Sequence, residues 1–383
     1  MGRAVIKKTL FVTNDFGPRA GGIESFIIGL IEHLPFGSTT VYTSAQGDTH
    51  AYDATWLEKY GVRVIRDRAK ILLPTPRITG DIVRLIKAEA IKTVAFGAAA
   101  PLALMASRLR GAGVGRIIAL THGHEVWWSK VFPFTRAMRR IGSSVDVLTY
   151  LGEFTRTAIA GALAPKSAGA MVKIAPGIDT EHFAPIDSTS LRESLGLSQK
   201  KVIVSVGRLV HRKGQDRLIE SMRAIVQEVP TAHLLLIGEG PYREYLQSLV
   251  RKYALDDHIS FIGRIQYVDL PQYICLGEIF AMPSRSRFFG LEVEGLGIVY
   301  LEASACGLPV IAGASGGAPD ALIDGTTGVV VDGLDSAAIA VAAINLLNNP
   351  AQARLMGQAG RRWVVEKWHW QIWADAFKKL INE

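Results

Sequence analysis

Two cysteines, Cys275 and Cys306, are too few and too oddly spaced for a disulfide framework or a thiolate metal site, and a reduced, cytoplasmic setting is expected. Long apolar runs are missing as well. The stretch from Thr93 to Ser107 is 15 residues long and is interrupted by Gly97 and Pro101, whereas a membrane span needs about 20 continuous residues. The opening Met-Gly-Arg-Ala-Val-Ile-Lys-Lys passes straight into a strand-like run, so no secretory signal is expected. No Asp-x-Asp pair occurs, which removes one acidic motif for a divalent cation. The dinucleotide fingerprint Gly-x-Gly-x-x-Gly is also lacking: Gly238-Glu-Gly-Pro-Tyr-Arg243 has no third glycine, which argues against a dehydrogenase.

What is present suffices for two domains. The chain has 383 residues, 49 % of them hydrophobic, against roughly 100–200 residues per domain. Its net charge of +8 is uneven. Residues 1–170 carry 22 Lys/Arg against 12 Asp/Glu, while residues 171–383 carry 21 against 23. A basic first half calls for an anionic partner, and nucleic acid, an acidic membrane and a phosphorylated substrate all qualify on charge alone.

Two segments read as strand, loop, helix: Thr9–Thr13 followed by Ile23–Leu34, and Val202–Val206 followed by Gln215–Val229. Each opens a series of short β-type runs alternating with amphipathic helices, the pattern of a parallel sheet covered on both faces. Two Rossmann-like domains in tandem are expected, joined near Ala175–Pro185, where two prolines and a glycine interrupt regular structure. The tail, 351–383, reads as helical and carries Trp363, Trp368, Trp370 and Trp373, which either pack back across the junction or finish a core.

Ligands of open α/β sheets bind beyond the carboxyl ends of the strands. The loop Gly207-Arg-Leu-Val-His-Arg-Lys-Gly214 lies at such an end. Arg208 offers a planar fork and Lys213 a compact charge, which together suit a diphosphate; a merely solvated basic loop is the competing reading. Further on, Glu294-Gly-Leu-Gly-Ile-Val-Tyr-Leu-Glu302 places two carboxylates around a Gly-x-Gly helix start. Free N–H groups at Gly297, Ile298 and Val299 attract anions, each contact being worth about 0.3–1 kcal/mol. Glu294 and Glu302 can accept hydrogen bonds from sugar and ribose hydroxyls; capping by Glu294 would leave Glu302 unexplained.

The run from Glu294 to Ile311 resembles the E-x7-E signature of the retaining glycosyltransferases of family 4. The 207–214 loop resembles that family's diphosphate loop, Ile237-Gly-Glu-Gly-Pro241 its next strand end, and Phe261-Ile-Gly-Arg-Ile265 the segment facing the base. The resemblance covers most of residues 200–330 and is weaker in the first half. It implies an α/β GT-B fold, two Rossmann-like domains with a cleft between them. Residues 1–175 would bind acceptor and 176–364 the nucleotide sugar, with a helix at 365–383 returning to the first domain. It further implies Arg208 and Lys213 on the diphosphate, Glu302 on ribose, Glu294 on the transferred sugar, and Arg264 and Ile265 beside the base. No cofactor or metal is expected, because Arg208, Lys213 and the helix start would meet the leaving-group charge.

By the same resemblance, Gly21 and Gly22 in Gly17-Pro-Arg-Ala-Gly-Gly-Ile23 line the active site, since paired glycines let backbone approach a ligand closely. An ordinary loop before a helix is the alternative. In Leu120-Thr-His-Gly-His-Glu125, His122 matches the family's active-site histidine, with His124 the alternative and a structural role for either still open.

Aromatics and the cations Lys130, Arg136, Arg139 and Arg140 in Val126–Arg140 suit the edge of an anionic membrane, or else a buried helix with basic edges. The Arg-bearing approach to Glu294, Ser284-Arg-Ser-Arg-Phe-Phe-Gly-Leu-Glu-Val-Glu294, and the basic first half look most like the actinobacterial phosphatidylinositol mannosyltransferases. That subgroup implies α-1,6 transfer of mannose from GDP-mannose to phosphatidylinositol monomannoside, an anionic lipid acceptor, with peripheral attachment at the inner membrane face and no nucleic acid partner. Another nucleotide sugar such as UDP-glucose, or a sugar-nucleotide epimerase of the same architecture, is the alternative. A nucleic-acid-binding protein would leave Glu294 and Glu302 without a role.

Overall fold

The computed structural model describes residues 8–19 and 21–383; Ala20 of the glycine-bearing loop and the opening segment expected to lack a signal lie outside the described residues. The strand-like runs form two all-parallel sheets. In the first, β1 (Thr9–Thr13), β2 (Thr39–Thr43), β3 (Arg63–Arg66), β4 (Thr93–Phe96), β5 (Arg116–Ala119), β6 (Val147–Tyr150) and β7 (Val172–Lys173) lie in the order β3-β2-β1-β4-β5-β6-β7. In the second, β8 (Lys201–Val206), β9 (Ala232–Ile237), β10 (Ile259–Gly263), β11 (Ile279–Met282), β12 (Val310–Gly313) and β13 (Gly328–Val331) lie in the order β10-β9-β8-β11-β12-β13. The strands β1, β4, β8 and β9 are buried throughout or nearly so, and they read as largely apolar runs because helices cover both faces.

Two compact units result, residues up to Gly177 with Trp370–Glu383, and Ile178–His369. The return to the first unit comes at Trp370 rather than at residue 365. The tail is two helices, Pro350–Lys367 and Trp370–Asn382, parted at Trp368 and His369. Its tryptophans divide between the units: Trp363 and Trp368 pack together at 5.5 Å in the second. In the first, Trp370 covers Gly29 so closely that a Cβ there would lie 2.2 Å from the indole.

Each sheet changes winding direction once, between β1 and β4 and between β8 and β11, and such reversal points are where open α/β sheets hold ligands. In the second unit the helix Gln215–Glu228 fixes this point. It sets Leu218, Ile219, Met222 and Ile225 into the core at helical spacing, each burial contributing about 1.5–3 kcal/mol. Before it stands Gly214 at φ +76°, where a Cβ would fall 1.9 Å from the Pro283 carbonyl oxygen. Only glycine brings the 207–214 loop this near to the end of β11.

Candidate active site

The loop beyond β8 ends in a short turn, His211–Lys213, which carries Arg212 and Lys213 toward the segment beyond β11. There the Lys213 Nζ lies 2.8 Å from the Glu294 Oε2, and the Arg212 guanidinium 3.1 Å from the same oxygen. Lys213 and Glu294 are both buried. Burial pushes the Glu294 carboxyl up, but Lys213 and Arg212 outweigh it and hold the group below its ordinary value. Glu294 is therefore ionised at neutral pH and can only accept hydrogen bonds.

Three residues on, Gly297 at φ +83° leads into the helix Ile298–Ala305. The N–H groups of Ile298 and Val299 belong to the first turn, which an α-helix leaves without internal acceptors. In the next turn Glu302 is buried, and that burial raises its carboxyl to about 7 against the pull of Lys213. Two carboxylates eight positions apart thus differ in state: one is fixed as an anion, and the other sits at the edge of titration. Tyr300 is fully buried between them, hydrogen-bonding the Met282 carbonyl at 2.7 Å and locking the helix start to the end of β11.

The Arg-bearing approach is tied to the same loop. Arg285 is buried, pairs with Asp216 at 2.8 Å, and donates to His211 at 3.3 Å. Arg287 and Glu292 pair at 3.1 Å across an antiparallel bridge, with Phe288 and Phe289 exposed at its tip. Arg208 is exposed and takes part in none of these ion pairs. Arg264 and Ile265 follow β10, the former exposed, the latter half-buried, and the Gly263 carbonyl between strand and loop accepts from the Gly238 N–H at 2.7 Å.

The first unit gathers a separate set of groups beyond β1 and β5. Gly21 precedes the helix Gly22–Glu32, and a Cβ on it would lie 2.3 Å from the Glu24 carboxylate, whereas one on Gly22 would meet nothing. Glu24 is buried and pairs with Arg19 at 2.7 Å. Asp15 is near enough for its carboxyl to be raised, by burial first and by Glu24 second. Carboxylates around the glycine pair disfavour phosphate and favour hydroxyl donors such as those of a sugar.

His122 is buried, and its Nε2 lies 2.6 Å from the Gly97 carbonyl oxygen. A carbonyl only accepts, so Nε2 carries the proton and Nδ1 keeps a lone pair. Burial lowers its pKa, with Glu125 opposing, and the imidazole is neutral at pH 7. Its own backbone N–H donates to Glu125 at 2.8 Å. His124 is more exposed, with Nε2 3.2 Å from both the Ala100 carbonyl and Glu125. Near them Trp127 and Trp128 pack on Phe134, while Phe132, Arg136, Arg139 and Arg140 face outward. The helix Phe134–Ser144 buries Met138, Ile141 and Gly142, so the segment is an amphipathic cover with a basic outer edge.

The second unit thus brings Lys213, Glu294, Gly297, Ile298, Val299 and Glu302 together at one reversal point, while Gly21, Gly22 and His122 assemble in the first unit. The residue that sequence reasoning did not single out is Arg212. It stands in a visible run of cations, but only the turn His211–Lys213 distinguishes it from Arg208 by aiming it at Glu294.

Known proteins resemble this chain in sequence and in fold. Residues 187–363 match the family model of glycosyl transferases group 1. The chain is 44 % identical over 376 residues, 97 % of this chain and 98 % of the relative, to a GDP-mannose-dependent alpha-(1-6)-phosphatidylinositol monomannoside mannosyltransferase of Mycolicibacterium smegmatis. It is 41 % identical over 384 residues, 98 % of both chains, to the enzyme of Corynebacterium glutamicum named for the monoacylated form of that acceptor. Among solved structures, Anabaena HepE in complex with UDP superposes with a TM-score of 0.82 at 19 % identity, covering 98 % of this chain and 99 % of that one. Sucrose-phosphate synthase of Thermosynechococcus elongatus gives 0.77 at 23 %, with 98 % of each chain covered. The fold is that of the GT-B glycosyltransferases, and the chain, itself a glycosyltransferase, belongs to the group 1 family on the branch of these mannosyltransferases.

Proposed function

We propose that the protein transfers mannose from GDP-mannose to phosphatidylinositol monomannoside, forming an α-1,6 linkage with retention and without a metal ion, at the inner face of the plasma membrane. The donor and acceptor follow from the names of relatives that match nearly the whole chain. The observation that carries the chemistry is the buried Lys213–Glu294 pair beside a helix start.

In this reading Lys213 and Arg208, with the amides of Gly297, Ile298 and Val299, take up the negative charge that grows on the departing diphosphate. Preorganised donors of this kind are each worth about 10²–10³ in rate. Glu294, kept anionic by Lys213 and Arg212, accepts hydrogen bonds from mannose hydroxyls and fixes the sugar's orientation. Glu302 accepts from the ribose diol, and Arg264 and Ile265 border the base. As the bond from the anomeric carbon to phosphate breaks, the acceptor hydroxyl forms its new bond on the same face and gives its proton to the leaving phosphate. The neutral His122, with Gly21 and Gly22, attends to the sugar and acceptor hydroxyls. The outer basic edge at Arg136, Arg139 and Arg140 rests against anionic headgroups; no helix among the described residues is long and apolar enough to cross a membrane.

The direct experiment supplies labelled GDP-mannose and a lipid extract containing phosphatidylinositol monomannoside, with a chelator present. Label in the lipid phase, at a rate that added divalent cation does not raise, supports the reading. Transfer only from UDP-sugars would retire the donor, and label that stays in free sugar would replace transfer by an epimerase-like reaction.

A further inference from the structure

The transfer chemistry uses neither cysteine, yet the fold brings the chain's two thiols together within the second unit. Cys275 closes the helix Leu270–Ile274, and Cys306 closes the helix Ile298–Ala305, its N–H bonded to the Glu302 carbonyl at 3.0 Å. Both line one cavity of about 520 Å³ with Pro185, Gly307, Leu308 and Arg354. Cys275 is half-buried and Cys306 buried, so a small solute entering the cavity meets Cys275 as the accessible sulfur.

The surroundings treat the two sulfurs oppositely. The Cys275 thiol lies 3.5 Å from the Ala184 carbonyl, to which it donates, while the neighbouring Cys306 thiol, the Ile186 backbone and Arg361 favour its thiolate, so its pKa falls to about 7 although burial opposes this. Arg361 is held there by the carbonyls of Phe183 at 2.9 Å, Thr180 at 3.1 Å and Ala305. Cys306 is pushed up by its hydrogen bond to Cys275 and by burial, and it keeps its proton. A half-buried thiol that leans toward thiolate at a cavity, with a buried, protonated thiol lining the same cavity, is the arrangement of an attacking and a resolving cysteine.

We propose that Cys275 and Cys306 form a peroxide-oxidised dithiol, in which Cys275 reacts first and Cys306 closes an intrachain disulfide. The Cys275 sulfur attacks one oxygen of hydrogen peroxide. The S–O bond forms as the O–O bond breaks, and the departing hydroxide takes a proton to become water. The Cys306 sulfur, losing its proton, then attacks the Cys275 sulfenic acid; the S–S bond forms, the S–O bond breaks, and the second oxygen leaves as water. Two thiols are oxidised by two electrons and one peroxide is reduced to two waters. The product ties the end of the Glu302-bearing helix to the segment before β11.

The test treats the full chain with a small excess of hydrogen peroxide, then alkylates and measures intact mass. The expected result is a monomer lighter by two hydrogens, with both cysteines resistant to alkylation and a cross-linked peptide pair that a thiol reductant separates. Because the chain has only two cysteines, the assignment is unambiguous. In Cys306→Ser, a dione probe should trap a sulfenic acid on Cys275, and in Cys275→Ser, Cys306 should stay unlabelled. Wild-type protein that keeps both thiols alkylatable, or that forms only disulfide-linked dimers, overturns the proposal, as does preferential labelling of Cys306.

Discussion

Lys213 and Glu294 meet at 2.8 Å with both side chains buried, so the cation suited to a diphosphate is already aimed by the carboxylate suited to a sugar. The pair is ordered before any ligand arrives, which lowers the entropy lost on binding. It also means that Lys213 serves folding as well as the proposed chemistry, whereas the exposed Arg208 serves only the latter.

The two cations should therefore separate on mutation. Arg208→Ala is expected to lower the transfer rate about 10²-fold with an unchanged thermal midpoint. Lys213→Ala should lower the rate and also cost about 1–3 kcal/mol of stability, less than the roughly 3–5 of a fully orphaned buried charge because Arg212 remains. Kinetics and thermal denaturation measured together check this; equal stability of the two variants would contradict the pairing.

The raised pKa of Glu302 has a definite sign. Between the ordinary carboxylate value and about 7 the folded state binds more protons than the unfolded, so this group's contribution to stability is lost as pH rises through that window. Glu302→Gln should flatten the fall in thermal midpoint from pH 5 to 7. If the ionised form accepts from a ribose diol, GDP affinity should rise with pH through the same range and lose that slope in the variant. Calorimetry in buffers of different ionisation heat would register the proton released.

Adjacent glycines should respond differently. Gly21→Ala drives a methyl into the Glu24 carboxylate and disturbs its pairing with Arg19, so transfer should fall. Gly22→Ala meets no protein atom and should leave the thermal midpoint nearly unchanged, so any loss of transfer in it would come from the methyl standing where a ligand approaches. A lower thermal midpoint in Gly22→Ala as well would contradict the difference in clearance between the two positions.

Arg285→Ala strands Asp216, a buried carboxylate paired at 2.8 Å, and should cost about 3–5 kcal/mol. The same variant removes the guanidinium bond to His211, which steadies the turn carrying Arg212 and Lys213, so activity should fall although the backbone N–H of residue 285 still holds the Arg212 carbonyl at 2.8 Å. Chemical denaturation gives the first quantity and steady-state kinetics the second.

Much of this was legible in the residues. Strands such as Thr93–Phe96 and Ile279–Met282 stand out because both sheet faces are covered and every position but Thr93 is apolar. Val172–Lys173 could not be seen, since two residues on a sheet edge carry no periodicity. The cations of the 207–214 loop were visible as a group, and the carboxylates of Glu294 and Glu302 by their spacing. Their pairing was not visible: Lys213 and Glu294 are far apart in sequence and meet only because Gly214 lets one loop press on the end of β11. His122 was visible by motif, but its tautomer depends on the Gly97 carbonyl, which no local pattern reveals.

The helix Trp370–Asn382 has a bearing on biogenesis. It seals the first unit through Phe377 against Phe11, Trp370 against Gly29, and the Leu380 carbonyl and Glu383 against Arg116. The ribosome makes this helix only after residues 178–369 have been made. The first sheet to emerge must wait, one flank uncovered, while the second unit is synthesised and folds ahead of it. A released chain ending at His369 should thus present a finished second unit and a protease-sensitive first one.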